Sequence, residues 1–342
     1  MTTAGFAFVE FATPKPDELV GLFAHMGFAE IGRHKTLPVR LFHQGGIYFV
    51  LNQIPTSFAA EFSAAHGPAA AAAGFYVTDV AGCLSRAQSG GYKLSSRKPE
   101  YLSAPIDAIE GIGGSLIYVL DAKTAPQLFA DFTIEISRND LDIGLKQIDH
   151  LAYNVKRGAL DGWAQFYKDV FGFREIRYFH IKGKQTALRS RALLSSCDTM
   201  RLTINESVDD QSQIAEFIET YKGEGIQHIA LNPNDIYDTV ESMRAKGVPF
   251  IPVPDAYYEA LQERLPGSGE NIKRMKENYI LLDGVSENKE FLLQIVTPPV
   301  FGPLFFEVIQ RKGSDGFGEG NFTALFEALE RDQVARGVLK AA

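Results

Sequence analysis

Residues 16–31 read "PDELVGLFAHMGFAEI" and residues 158–176 read "GALDGWAQFYKDVFGFREI". In the first, Leu19, Leu22, Phe23 and Met26 fall at i, i+3, i+4 and i+7, the spacing of one helix face, and Gly27-Phe28 leads into a strand pattern. In the second, Trp163, Phe166, Tyr167 and Val170 repeat the spacing before Gly172-Phe173 and another strand pattern. The halves match about 145 residues apart. A second pair agrees: "TDVAGCLSRAQSGGYKL" (78–94) and "NDIYDTVESMRAKGVPF" (234–250) each place a polar capping residue before an amphipathic helix that ends near glycine. Strand-like runs precede these helices ("FAFVEFA", "AAGFYV", "IDHLAYNV", "QHIAL") and several short runs follow each of them.

The chain is thus expected to contain four strand–helix–strands units, two per half. One such unit cannot close its own sheet, so the predicted class is α+β: two tandem domains, each of paired βαβββ modules forming an open half-barrel with helices outside. The domains are expected at 1–135 and 148–342, with 121–147 as a polar connector. A small-molecule site would sit on a concave face.

Composition narrows the partners. The chain is 342 residues long, 45% hydrophobic and 22% charged, with net charge -8 and no basic cluster. That offers no footprint to nucleic acid or an anionic membrane. No apolar run reaches spanning length and the start lacks a signal-peptide pattern, so a cytoplasmic location is expected. Cys83 and Cys197 lie far apart without a CxxC, as in a reducing compartment, and both read as packing residues.

Duplication supplies an internal control. Laying one half on the other puts Phe8 opposite His150, Ala72 opposite His228 and Tyr118 opposite Glu307, to within one or two residues. The fold therefore needs no polar group at these places. Glu307 is the more telling because it interrupts the apolar run "PLFFEVIQR", where an unpaired carboxylate is costly to bury. Two imidazoles and a carboxylate on neighbouring strands form the ligand set of a facial triad, which suits Fe(II), with Mn(II), Co(II) or Zn(II) also compatible with the ligand types. The plainer alternatives are hydrogen-bonded histidines, with an exposed Asp149 serving His150 and Gln227 serving His228, and a Glu307–Arg311 pair. His25, His34, His43, His66 and His180 show no such pattern and read as surface or core residues. Strand alternation turns Phe305 toward the site and Phe306 and Val308 away from it.

At these residues the sequence resembles the 4-hydroxyphenylpyruvate dioxygenase family of the vicinal-oxygen-chelate (glyoxalase-like) fold. The stretches that carry the resemblance are "IDHLAYNV", "GIQHIAL" (225–231), "PDAYYEALQERL" (254–265), "FLLQIVTPPV" (291–300), "LFFEVIQRKG" (304–313) and "GFGEGNFTALFEALERDQ" (316–333). The similarity is close over 148–338 and looser over 1–147.

The resemblance implies His150, His228 and Glu307 as ligands of one Fe(II) per chain. It implies Ser190, Asn205, Gln213, Gln227 and Gln294 as hydrogen-bonding substrate residues, with Gln227, Gln294 and Asn205 closest to the chemistry. Phe305, Phe317 and Phe322, with Asn321 beside them, would be the aromatic pocket, and the helix after the glycine-rich turn would be a lid. The implied substrates are an aromatic 2-oxo acid and O2, and the implied products are homogentisate and CO2, a step of tyrosine catabolism. Two positions depart from the family pattern: Thr203 stands where proline is usual and Val296 where phenylalanine is usual. Threonine at the first is a habit of hydroxymandelate synthase, whereas Asn205 and Phe322 look like the dioxygenase. An extradiol dioxygenase and a metal-free binding or resistance protein are the remaining alternatives. The open sheet edge makes a homo-oligomer, dimer or tetramer, the expected assembly.

Overall fold

The first module runs β1 (Thr3–Ala12), α1 (Pro16–His25), β2 (Ala29–His34), β3 (Val39–Gln44) and β4 (Ile47–Asn52). After α2 (Phe58–His66) the second runs β5 (Ala69–Val77), α3 (Val80–Ser89), β6 (Leu94–Ser95), β7 (Asp107–Glu110) and β8 (Leu116–Asp121), and a short β9 (Phe132–Ile134) follows. The third runs β10 (Leu145–Val155), α4 (Leu160–Phe171), β11 (Arg174–Lys182), β12 (Ala187–Leu194) and β13 (Arg201–Ser207). After α5 (Gln213–Tyr221) come β14 (Gly225–Pro233), α6 (Ile236–Ala245), α7 (Asp255–Glu259), α8 (Leu261–Arg264), α9 (Ile272–Asn278), β15 (Leu281–Val285), β16 (Glu290–Val296) and β17 (Phe305–Lys312). This computed structural model describes residues 3–104, 106–135, 141–182, 187–259, 261–318, 320–321, 333 and 337–338.

The four expected units are all present, and local chemistry explains their helices. Asp79 accepts the amide of Gly82 at the start of α3, and Asp235 accepts those of Tyr237 and Asp238 at the start of α6. Glu206, fully buried, accepts the amides of Gly158 and Leu160 at the start of α4.

Each half is one curved sheet. The orders are β6-β7-β8-β5-β1-β4-β3-β2-β9 and β11-β12-β13-β10-β14-β17-β16-β15. In both, the first strands of the two modules pair antiparallel at the centre (β1 with β5, β10 with β14), and each pairs in parallel with its own module's last strand. The expected connector is partly sheet: β9 adds to β2, because Phe132 finds a buried seat on the concave side, and β10 already begins at Leu145. Among the described residues, no helix is long and apolar enough to cross a membrane.

The convex faces and their helices form one core shared by both halves. Leu19, Phe23 and Met26 of the first repeat and Phe166, Tyr167 and Val170 of the third lie in it. Phe49 against Phe306 (6.2 Å), Phe11 against Phe301 (5.8 Å) and Phe75 against Phe171 (5.4 Å) join the halves. Cys83 is buried in this core as expected. Cys197 is not a packing residue: it is partly exposed, and its sulfur faces the hydroxyls of Ser195 (3.1 Å) and Thr199 (2.9 Å).

The concave faces differ. In the first half Phe8, Tyr101, Tyr118 and Phe132 fill it. One carboxyl, Glu10, is enclosed there at 1% exposure, accepting from Asn52 Nδ2 (2.7 Å) and the Tyr101 hydroxyl (2.9 Å). Burial pushes its pKa up to about 7, against the partial opposition of these hydrogen bonds. The folded protein thus keeps a proton on Glu10 that the unfolded chain releases above about 4.5. Stability is full below pH 4.5 and falls as pH rises toward 7, by up to about 3 kcal/mol at 1.36 kcal/mol per unit. Glu10→Gln should remove this slope, so denaturant unfolding at pH 4.5 and pH 8 should show the variant gaining on the wild type at the higher pH. Equal pH dependence of the two proteins would contradict the assignment.

Candidate metal centre

Strand register brings the three predicted ligands together. Ala230 on β14 lies opposite both His150 on β10 and Glu307 on β17, and His228 lies opposite Ala152 and Phe305. Paired residues share a face, so all three side chains enter one concavity. The same register in the first half sets Gly74 opposite Phe8 and Tyr118, and Ala72 opposite Glu10. The repeat equivalences therefore hold residue for residue: Phe8 for His150, Ala72 for His228 and Tyr118 for Glu307.

His150 Nε2 lies 3.3 Å from His228 Nε2, and Glu307 Oε2 lies 3.5 Å from the first and 3.3 Å from the second. Donors about 2.1 Å from one ion and at right angles would be about 3 Å apart. Each imidazole has its other nitrogen on an oxygen: His150 Nδ1 faces Asp149 Oδ1 at 2.9 Å and His228 Nδ1 faces Gln227 Oε1 at 3.1 Å. A proton on Nδ1 leaves the Nε2 lone pair directed inward. Burial lowers the His228 pKa despite Glu307, which keeps that ring neutral and able to ligate. Three converging lone pairs repel one another unless a cation lies between them, so the residues fit a divalent metal. Among the described residues this is the one group able to hold a metal ion.

Asp149 is a buried partner at 2% exposure, not the exposed one the sequence allowed for. Arg311 is bound to it by Nε to Oδ2 and Nη2 to Oδ1, both 2.9 Å, and so is not the direct partner of Glu307. Burial alone would raise the Asp149 pKa, but Arg311 and His150 hold it far below the usual carboxylate range. Asp149 therefore stays an anion and fixes the His150 ring.

Phe305 stacks on His228 with centroids 4.7 Å apart, while Phe306 and Val308 face the shared core. Phe317 stands edge-on to His150 at 5.4 Å. Ser190 and Asn205 pair across β12 and β13, and Asn205 Nδ2 reaches Asn154 Oδ1 at 3.4 Å. Gln227 Nε2 reaches Gln213 Oε1 at 3.5 Å, and both line a cavity of about 180 Å³ walled by Phe305 and Pro303. Gln294 shares the triad's face through the β16–β17 register, as does Val296 opposite Glu307, and Thr203 lies opposite Ala152. Asn321 is buried, and its Oδ1 accepts from the Tyr257 hydroxyl (2.7 Å) and from Arg264 (3.4 Å). Phe322 and residues 323–332 of the expected lid helix lie outside the described residues.

Ser190 Oγ and Gln294 Oε1 are buried without a hydrogen-bond partner among the described residues, as is Asn154 Nδ2. Such atoms are costly unless a ligand or water satisfies them. Asn154 was not singled out in the sequence. Its signal was there, four residues from His150 on one strand face at period two.

Residues 1–135 match the family described as hydroxyphenylpyruvate dioxygenase, HPPD, N-terminal, and residues 147–264 match the Glyoxalase/Bleomycin resistance protein/Dioxygenase superfamily. A 4-hydroxyphenylpyruvate dioxygenase of Pseudomonas aeruginosa is 48% identical, covering 98% of this chain and 96% of its own. A relative of the same name from Legionella pneumophila is also 48% identical over 98% of this chain and 96% of its own. The chain belongs to the 4-hydroxyphenylpyruvate dioxygenase family. A solved mutant of 4-hydroxymandelate synthase from Streptomyces coelicolor superposes with a TM-score of 0.85 at 26% identity, covering 97% of this chain and 100% of that one. The expected fold class and family are thus both established, and the family is one of dioxygenases.

Two substitutions test the geometry. Glu307→Ala should lower metal affinity by more than the roughly 10–100-fold typical of lost outer partners, read by anaerobic Fe(II) titration. A variant that retains full iron would refute the ligand set. Gly318 has φ +73°, and a Cβ there would come 2.1 Å from Gln294 Oε1. Gly318→Ala should displace the Gln294 carboxamide and destabilise the protein by about 1–3 kcal/mol. An unchanged melting midpoint would show that the contact relaxes freely.

Proposed function

We propose that the protein is an Fe(II)-dependent 4-hydroxyphenylpyruvate dioxygenase, converting that 2-oxo acid and O2 to homogentisate and CO2. The observation that carries the reading is the triad itself, with both Nδ1 atoms bound to oxygens and the Nε2 atoms of His150 and His228 converging on Glu307 Oε2. Bound Fe(II) would supply coordination of the 2-oxo acid and activation of oxygen on the face the three ligands leave open.

The rest is done by the chain. His150 and Asn154 are four residues apart on β10, about 13 Å by strand rise, so Asn205 and Ser190 stand at the far end of an elongated slot. That length suits an aromatic ring carrying a three-carbon acid: the acid head at the triad, the phenol at Asn205 and Ser190. The unpartnered Ser190 Oγ and Gln294 Oε1 supply hydrogen bonds for the substrate. Phe305 and Phe317, both buried against the imidazoles, keep water from the reacting centre. A second product rests on Thr203, which faces the slot between the triad and Asn205. Presenting the benzylic carbon instead of the ring to the oxidant would give 4-hydroxymandelate.

Protein loaded with Fe(II) without oxygen, given 4-hydroxyphenylpyruvate and then O2, should consume one O2 and yield homogentisate by chromatography. Recovery of 4-hydroxymandelate would assign the synthase, and absence of either product with no oxygen uptake would overturn the reading. Asn205→Ala should cut kcat/KM by roughly 10–100-fold, the value of one or two lost hydrogen bonds, with metal affinity unchanged.

A further inference from the structure

The end of β17 carries a connection that the ligand set does not explain. Arg311 is a residue of that strand, nine-tenths buried, and its guanidinium is shared between two parts of the molecule. On one side its fork binds both oxygens of Asp149, whose Oδ1 also accepts from His150 Nδ1. On the other side Nη1 donates to the carbonyls of Ser314 (3.3 Å) and Gly316, and the guanidinium carbon lies 5.1 Å from the centroid of the Phe317 ring. Phe317 in turn stands against His150. The path from the His150 ring through Asp149 and Arg311 to segment 313–317 and back through Phe317 is a closed circuit.

We propose that Arg311 is a positioning residue that couples the orientation of the metal ligand His150 to the closure of Phe317 over the site. The inference deepens the metal-site reading and rests on it. The chemistry requires Arg311 in particular: five N–H groups in a rigid fork satisfy a carboxylate in two places while one nitrogen still reaches the loop carbonyls, and the flat face accepts an aromatic ring. A lysine can supply the charge beside Asp149 but not the fork. The other anchor of this loop, Arg201 to Asp315 at 2.7 Å, lies on β13 beside His150 in register, and its hydrogen bond runs to Asp315 and not to Asp149.

Coupling of this kind is reciprocal. If metal binding fixes His150, it also orders residues 313–318, and loosening that loop weakens metal binding. The test uses the full-length protein and Co(II), titrated by its visible spectrum, with hydrogen exchange of the 313–318 amides followed with and without metal. In the wild type, Co(II) should slow exchange across 313–318. In Arg311→Lys, affinity should fall roughly tenfold or more, as for other outer partners of ligating histidines, and the metal-dependent protection should be lost. Phe317→Ala should lower affinity in the wild-type background and have no further effect in Arg311→Lys. Arg311→Met, checked for folding by circular dichroism, should give a larger loss of affinity and the same loss of protection.

A wild type that binds Co(II) without protecting 313–318 overturns the coupling, as does an Arg311→Lys protein with wild-type affinity and protection. A wild type that binds neither Co(II) nor Fe(II) would instead overturn the metal-site reading, so the two failures are distinct.

Discussion

Everything at the centre depends on the register of β14 between its two neighbours. Because Ala230 faces both His150 and Glu307, and His228 faces Ala152 and Phe305, the donor atoms meet without any loop to carry them. A slip of one residue would turn every ligand to the other side. What prevents the slip is the opposite face: Leu151 and Tyr153, Ile229 and Leu231, Phe306 and Val308 are all buried in the core shared by the two halves. At roughly 1.5–3 kcal/mol for each large apolar side chain removed from water, that face outweighs the polar interactions it positions. Hydrophobic burial on the convex side thus sets the geometry of the His150–His228–Glu307 group on the concave side.

The first half shows what the same register does without donors. Phe8, Ala72 and Tyr118 stand at the three ligand positions, and Tyr101 and Phe132 close over them. The concavity becomes core, with Glu10 enclosed in it. The two halves then divide the work: one is packed solid and buttresses the other through Phe11, Phe49 and Phe75.

Charges in the second half are buried only where they are held. Glu206 takes the free amides at the start of α4 and Arg189, and Asp149 takes Arg311 and His150. Removing two charges from water costs several kcal/mol per ion, so the Asp149–Arg311 pair is weak evidence of stability. Its value lies in direction: the carboxylate fixes the tautomer and plane of a ring that must present Nε2.

The sequence by itself determined the four modules, the helix faces and the three positions, His150, His228 and Glu307, that converge in the fold. Helix and strand periodicities are local, and duplication turns His150, His228 and Glu307 into differences against an internal standard. Short stretches such as "GIQHIAL" and "LFFEVIQRKG" also made the family legible. Other features were decided only by tertiary structure. Along the sequence Arg311 had Glu307 four residues away as its acid, and the fold gave it Asp149, 162 residues away. Phe132 looked like connector until β9 joined β2, and the partners of Asn321, Tyr257 and Arg264, come from 57 and more residues away. In each case the partner is chosen by how strands and loops cross in space, and periodicity along one chain carries no record of that choice.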